Sequence, residues 1–238
     1  MELKKEKIRC MKRNAYSAKK QILLVILLAV VMLVPPNCTR LVKAESNSYV
    51  NPSKEEIARK LETVARAKNI PSVILKAIAF KESSWRQFDK DGNVVMSTPS
   101  NPKYNPAIGI MQIASYNAAN TNEVNKLKYD IDYNISRGAD ILNQKWDYTP
   151  KIGDGDRNKL ENWYFALWAY NKWTIDNNPT NASALGQTAY QDRVIHVAST
   201  EYFKGLVTPV HITPISPELI PVDTLPAKDR VWDTPEPF

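Results

Sequence analysis

The sequence predicts a single, mainly α-helical domain with one short β-hairpin, flanked by a basic and apolar N-terminal segment and a proline-rich C-terminal one. Apolar residues recur every three to four positions in several segments between Ser53 and Gly205, the spacing that places side chains on one face of a helix. Between Gln87 and Met96 that pattern breaks around the turn dipeptide Asp91-Gly92. Seven of the chain's 16 prolines fall between Pro209 and Pro237, where neither helix nor central strand can continue.

Residues 1–44 are expected to be a signal peptide. Lys4, Lys5, Lys7, Arg9, Lys12, Arg13, Lys19 and Lys20 precede an uncharged run from Ile22 to Val34, and Val42-Lys43-Ala44 fits a small-residue cleavage site. A helix over that run is roughly 20 Å long, short of the ~30 Å bilayer core, so a signal is favoured over an uncleaved anchor. Export to the cell wall or the medium is the expectation, with membrane contact only through this segment. Cys38 follows Val34-Pro35-Pro36-Asn37, residues too bulky for a lipoprotein cysteine.

The formal charge of +7 is a property of the leader. Ten of the 32 Lys and Arg and two of the 25 Asp and Glu lie within residues 1–44, which leaves 22 basic and 23 acidic residues, a net charge of −1. Nucleic-acid binding loses its electrostatic basis. Both cysteines, Cys10 and Cys38, lie in the leader, so residues 45–238 have neither a disulfide nor a cysteine metal site. His196 and His211 share no metal or triad spacing, and no glycine-rich phosphate loop is present. No cofactor and no metal are expected.

Residues 45–52 read as a short linker, 53–205 as the folded domain and 206–238 as an extended tail, expected to lie free on the surface. Ser53 with Glu56 forms a capping box for a first helix that buries Ile57, Leu61, Val64 and Ala65. The second helix, Pro71 to Lys81, is apolar nearly all round and should occupy the centre of the core. Phe88 to Val95 forms the hairpin. Its glycine comes two positions too early for a calcium loop. Pro102 and Pro106 mark a loop leading to Gly109-Ile110-Met111-Gln112-Ile113. Asp132 is the expected cap of a helix through Ile135, Gly138, Ala139, Leu142 and Trp146. After a loop at Lys151 to Arg157, a helix carries Leu160, Trp163, Tyr164, Leu167 and Asn171 on one face. A last helix uses Tyr190, Val194, Val197 and Ala198 and stops at Gly205. Most of the aromatic residues Trp163, Tyr164, Phe165, Trp168 and Trp173 are read as core rather than as a sugar platform.

Glu82 stands out chemically. It continues the stripe Ile74, Ile78 at the end of the second helix, so its carboxyl faces apolar surroundings and the negative end of the helix dipole. Both disfavour the anion and predict a raised pKa, the property of a general acid near neutral pH. An ordinary surface glutamate paired with Lys81 is the plain alternative.

Three segments in order decide between these readings: Lys81-Glu82-Ser83-Ser84-Trp85, Gly109-Ile110-Met111-Gln112-Ile113 and Leu167-Trp168-Ala169-Tyr170-Asn171. Together they resemble the lytic transglycosylase family related to the soluble lytic transglycosylase and to goose-type lysozyme, over roughly Ile57 to Phe203. Asn134-Ile135-Ser136-Arg137-Gly138 and Tyr190-Gln191-Asp192-Arg193-Val194 are similar to the family as well. The resemblance implies a lysozyme-like α+β domain, monomeric, that cleaves the β-1,4 bond between N-acetylmuramic acid and N-acetylglucosamine in peptidoglycan strands. It implies that Glu82 serves as acid and then base while the C6 hydroxyl of the sugar attacks C1, forming 1,6-anhydromuramic acid. By the same resemblance Ser83 and Gln112 bind the sugar, Met111 is an apolar wall residue, Tyr170 approaches the carboxyl with its hydroxyl, and Asn171 sits beside it. Lys172-Trp173 stand where the family often has glycine, which bears on substrate contacts at that end of the cleft. Two other readings compete: a hydrolytic muramidase pairing Glu82 with Asp89 or Asp91, and a non-catalytic glycan-binding or assembly protein with the same fold.

Overall fold

A computed structural model describes residues 49–233, which lie in the compact unit Asn47–Phe238. The expected signal segment, the first half of the linker and the last five residues of the tail lie outside the described residues. No helix among the described residues is long and apolar enough to cross a membrane.

Helix α1 spans Lys54–Ala67. The Ser53 side chain caps it by accepting from the Glu56 backbone N–H at 3.2 Å, and Ile57, Ala58, Leu61 and Ala65 turn inward. Helix α2, Ser72–Ser83, buries Ile74, Leu75, Ala77, Ile78 and Ala79 on nearly every side. It packs against α1 and the last helix, the central position its all-round apolarity requires. Ser84 and Trp85 then take consecutive left-handed conformations, φ 55° and 57°, a sharp exit that non-glycine residues rarely adopt.

The expected hairpin is present as antiparallel bridges rather than an extended ladder. Phe88 pairs with Val94 around Gly92, whose φ of 82° suits glycine, and Ile108 pairs with both Met96 and Ile113. Two helices follow where one was expected: α3, Thr121–Tyr129, and α4, Ile131–Tyr148. The cap of α4 is Asp130, accepting from the Tyr133 N–H at 3.0 Å, and not Asp132, which pairs with Lys60 at 2.8 Å. Asp130 also ends α3, donating its own N–H to the Lys126 carbonyl at 2.9 Å, so one residue serves both helix ends.

A 3₁₀ turn, Leu160–Trp163, leads into α5, Tyr164–Asn171, which packs between α4 and the last helix. The short α6, Pro179–Ala184, has Asn178 as cap. Helix α7, Tyr190–Ala198, ends seven residues before Gly205, with the Ser199 N–H donating to the Ile195 carbonyl at 3.0 Å.

The described part of the tail lacks α-helix, as its prolines dictate, but it does not lie free. Val207, Ile212, Ile215, Ile220 and Trp232 are buried in the core cluster. Asn178 donates to the carbonyls of Pro221 and Thr224 at 2.9 Å each, and the Trp232 N–H donates to Lys151 at 3.0 Å. Prolines remove backbone donors without removing the apolar side chains between them, and each buried isoleucine contributes about 1.5–3 kcal/mol.

Candidate active site

Glu82 lies in the last turn of α2, half-buried, where the core helix meets an open groove of about 520 Å³. Its Oε1 accepts a hydrogen bond from the Tyr190 hydroxyl on α7. Burial pushes its pKa up, opposed by the Tyr190 hydrogen bond and by the charges of Lys81 and Arg193. Among the described residues Glu82 makes no ion pair, so Lys81 acts on it only through space. Tyr190 and Tyr170 are both held well above the usual phenol range, first by burial and then by the Glu82 charge. Their hydroxyls therefore keep their protons at neutral pH and remain donors.

The segment Gly109–Ile113 forms one wall, clasped by buried amides from two distant elements. Gln87 accepts from the Ile110 N–H at 2.9 Å and donates to Leu127 and Lys128 carbonyls at 2.8 Å each. Asn134 on α4 accepts from the Met111 N–H at 3.0 Å and donates to the Ile108 carbonyl at 2.9 Å. Gly109 has φ 75°, and a Cβ there would meet Gln87 Oε1 at 2.5 Å, so this close approach needs glycine. Neutral amides that satisfy both their donors and acceptors hold the wall without adding charge beside the carboxyl.

These contacts sort the five residues expected to bind substrate. Gln112, at φ 48°, lines the groove, with its amide donating to the Gly109 carbonyl at 2.8 Å. Tyr170 and Asn171 line it as well. The Tyr170 hydroxyl donates to the Met111 carbonyl at 3.0 Å, whereas the hydroxyl that reaches the carboxyl belongs to Tyr190. Ser83 and Met111 do not line the groove. Ser83 is buried, donating to the Ile110 carbonyl at 2.9 Å and accepting from the Arg86 N–H at 3.0 Å. Met111 is fully buried against Gly138, and only its carbonyl serves the site, as the Tyr170 acceptor. Both hold the wall in place.

The candidate second carboxylates are engaged elsewhere. Asp89 accepts from the N–H groups of Asp91 and Asn93 at 2.8 and 2.9 Å and from the Asn93 amide at 3.2 Å, hydrogen bonds that pull its pKa down. Asp91 pairs with Lys90 at 2.9 Å. Among the described residues Glu82 is the one acidic side chain lining the groove. Among the described residues no cluster of three or more His, Cys, Asp or Glu is placed to hold a metal.

Tyr190, Gln87 and Asn134 are not among the site residues expected from the sequence. Tyr190 and Asn134 lie in segments already similar to the family, which was the available signal. Gln87 had none. Trp163, Tyr164, Phe165 and Trp168 are core as read, but Trp173 is half-buried and lines the groove.

A mainly helical domain with a lone half-buried carboxyl at the end of its central helix, facing an open groove, has the build of a lysozyme-like glycan-acting domain. Residues 61–190, more than half of the chain, match the transglycosylase SLT domain, and the chain belongs to that family. Membership supports a transglycosylase-type action on peptidoglycan. No curated protein matches the chain.

Proposed function

We propose that the protein is a lytic transglycosylase that cleaves the β-1,4 bond between N-acetylmuramic acid and N-acetylglucosamine and leaves a 1,6-anhydromuramic end. Glu82 donates its proton to the glycosidic oxygen as the C1–O4 bond breaks. The resulting carboxylate then takes the proton of the muramyl C6 hydroxyl as O6 bonds to C1, so no water enters the products. The observation that carries this reading is the single raised-pKa carboxyl in a groove with no acidic partner. Hydrolytic glycosidases use a pair of carboxylates, one of them to activate water or attack the sugar. Intramolecular attack removes that need. Tyr190 steadies the anion between the two proton transfers, and Gln112, Tyr170 and Asn171 present polar groups to the glycan.

The test is mass spectrometry of the soluble products from purified cell walls. Anhydro ends, one water lighter than reducing ends, are expected, and products with reducing ends alone would overturn the lyase mechanism. Glu82→Gln should abolish cleavage while strand binding persists; an active Glu82→Gln protein would remove Glu82 from the chemistry. Export through residues 1–44 belongs to the same proposal, and N-terminal sequencing of secreted protein should read from Glu45.

A further inference from the structure

The α4–α5 end of the groove differs in chemistry from the end that holds Glu82. Lys145, in the last turn of α4, and Lys172 with Trp173, just beyond α5, line it together. The cations that act on Glu82 are Lys81 and Arg193, so Lys145 and Lys172 stand apart from the reacting carboxyl. Lys145 makes no ion pair among the described residues. Lys172 faces Asp176 at 3.6 Å, with both side chains more than half exposed, a pairing that water screens and that an incoming anion displaces at little cost.

The Trp173 side of this end is well packed. Trp173 packs on Trp168 and Phe165, with ring centroids 4.8 and 5.8 Å away, and Trp168 donates its indole N–H to the Thr174 carbonyl at 3.1 Å. The Asn177 amide donates to the Lys172 carbonyl at 3.1 Å and to Asn171 Oδ1 at 2.9 Å, pinning the turn after α5. A lysine at a helix end complements the helix dipole wherever it points. That role does not account for two lysines in one groove flanking a fixed indole.

We propose that Lys145, Lys172 and Trp173 form a carboxylate-recognising subsite that selects glycan strands bearing acidic groups on their muramyl units. The indole offers an apolar face to a sugar ring or an N-acetyl methyl, and the two ammonium groups take a carboxylate, from the stem peptide where one is attached or from the bare lactyl group where it has been removed. The subsite rests on the assignment of peptidoglycan as substrate, and it gives the Lys172-Trp173 pair a function where glycine would leave open space.

The experiment compares soluble wall glycan prepared in three forms: intact stem peptides, stems with their carboxylates converted to amides, and strands stripped of stems by an amidase, which keep only the lactyl carboxylate. The full protein should cleave intact strands with a kcat/KM about fivefold above the amidated ones at low salt, mostly through KM, and the ratio should shrink as salt rises. In Lys145→Gln/Lys172→Gln the ratio should fall towards one. Stripping frees a lactyl carboxylate that is an amide in intact strands: stripped strands that behave like intact ones assign a subsite that takes either carboxylate, and stripped strands that behave like amidated ones assign the stem alone. Equal cleavage of intact and amidated strands, or a ratio unchanged in the double variant, overturns the subsite. Failure to cleave any of the three overturns the proposed function instead.

Discussion

Replacing Tyr190 by phenylalanine removes one atom from the site and tests how the carboxyl is tuned. The Tyr190 hydroxyl is the one side-chain donor to Glu82 among the described residues, and it favours the anion that forms as Glu82 gives up its proton. A hydrogen bond to a charged group contributes about 1.5–3 kcal/mol, so its loss should slow a step limited by that proton transfer by roughly ten- to a hundredfold. The pH dependence should move too. The hydrogen bond opposes the burial that raises the Glu82 pKa, so without it that pKa rises further and the alkaline fall in kcat/KM shifts to higher pH. The phenyl ring keeps its packing, and Arg193, 5.9 Å from the ring centroid, keeps its place. Turnover of soluble glycan followed across pH gives both readouts. A rate within twofold of the parent with an unmoved alkaline limb would refute the idea that Tyr190 acts on the carboxyl.

Glu82→Gln should raise thermal stability at neutral pH as it removes activity. A carboxyl whose folded pKa lies above its unfolded one stabilises the fold below the usual glutamate range and loses that contribution as pH rises, so the gain in Tm should vanish in acid. Calorimetry at two pH values checks this, and an equal Tm difference at both would contradict it. Gly138→Ala puts a Cβ 2.7 Å from the Met111 Cβ, too close to the backbone to be relieved by rotation. It should cost about 1–3 kcal/mol, lowering Tm by ~3–10 °C, and should depress turnover as the Gln112 wall shifts. Trp232→Ala removes a buried ring that meets Phe165 edge-on at 5.5 Å, and a loss of about 3 kcal/mol, ~6–12 °C in Tm, is expected in a melting curve. An unchanged Tm would mean that the tail contributes nothing to the fold.

The parts legible in the sequence were those that local spacing encodes. Ser53 and Glu56 lie within one helical turn, and Glu82 continues a stripe begun by Ile74, so each position follows from helix geometry alone. The Tyr190 contact crosses 108 residues, and Gln87 reaches Leu127 across 40; no periodicity carries that information. The sequence alone does not separate Asp130 from Asp132 as the cap, because both precede the apolar stripe of α4. Choosing between them requires knowing that α3 ends at Asp130, where the chain turns extended with φ −113° and ψ 100°. The tail departs from its expected free course for a related reason. Its prolines exclude helix, and with no helix or strand to assign them to, the isoleucines at 212, 215 and 220 give no sign in the local sequence of the core they join.

Asp89 shows why position near a catalytic residue in sequence is weak support for a paired mechanism. It lies seven residues after Glu82, close enough for a hairpin to fold it over the groove. Yet the hairpin exists because of that carboxylate: the three hydrogen bonds it accepts from Asp91 and Asn93 close the turn in which Gly92 adopts its left-handed conformation. Swinging Asp89 towards Glu82 would exchange all three for water and undo the turn that brings Phe88 to Val94. Those hydrogen bonds also pull its pKa down, the opposite of what a second carboxyl sharing a proton with Glu82 would experience. The hairpin thus holds its carboxylate in its own turn and leaves Glu82 the one acid lining the groove among the described residues, which supports the proposal of a substrate that supplies its own nucleophile.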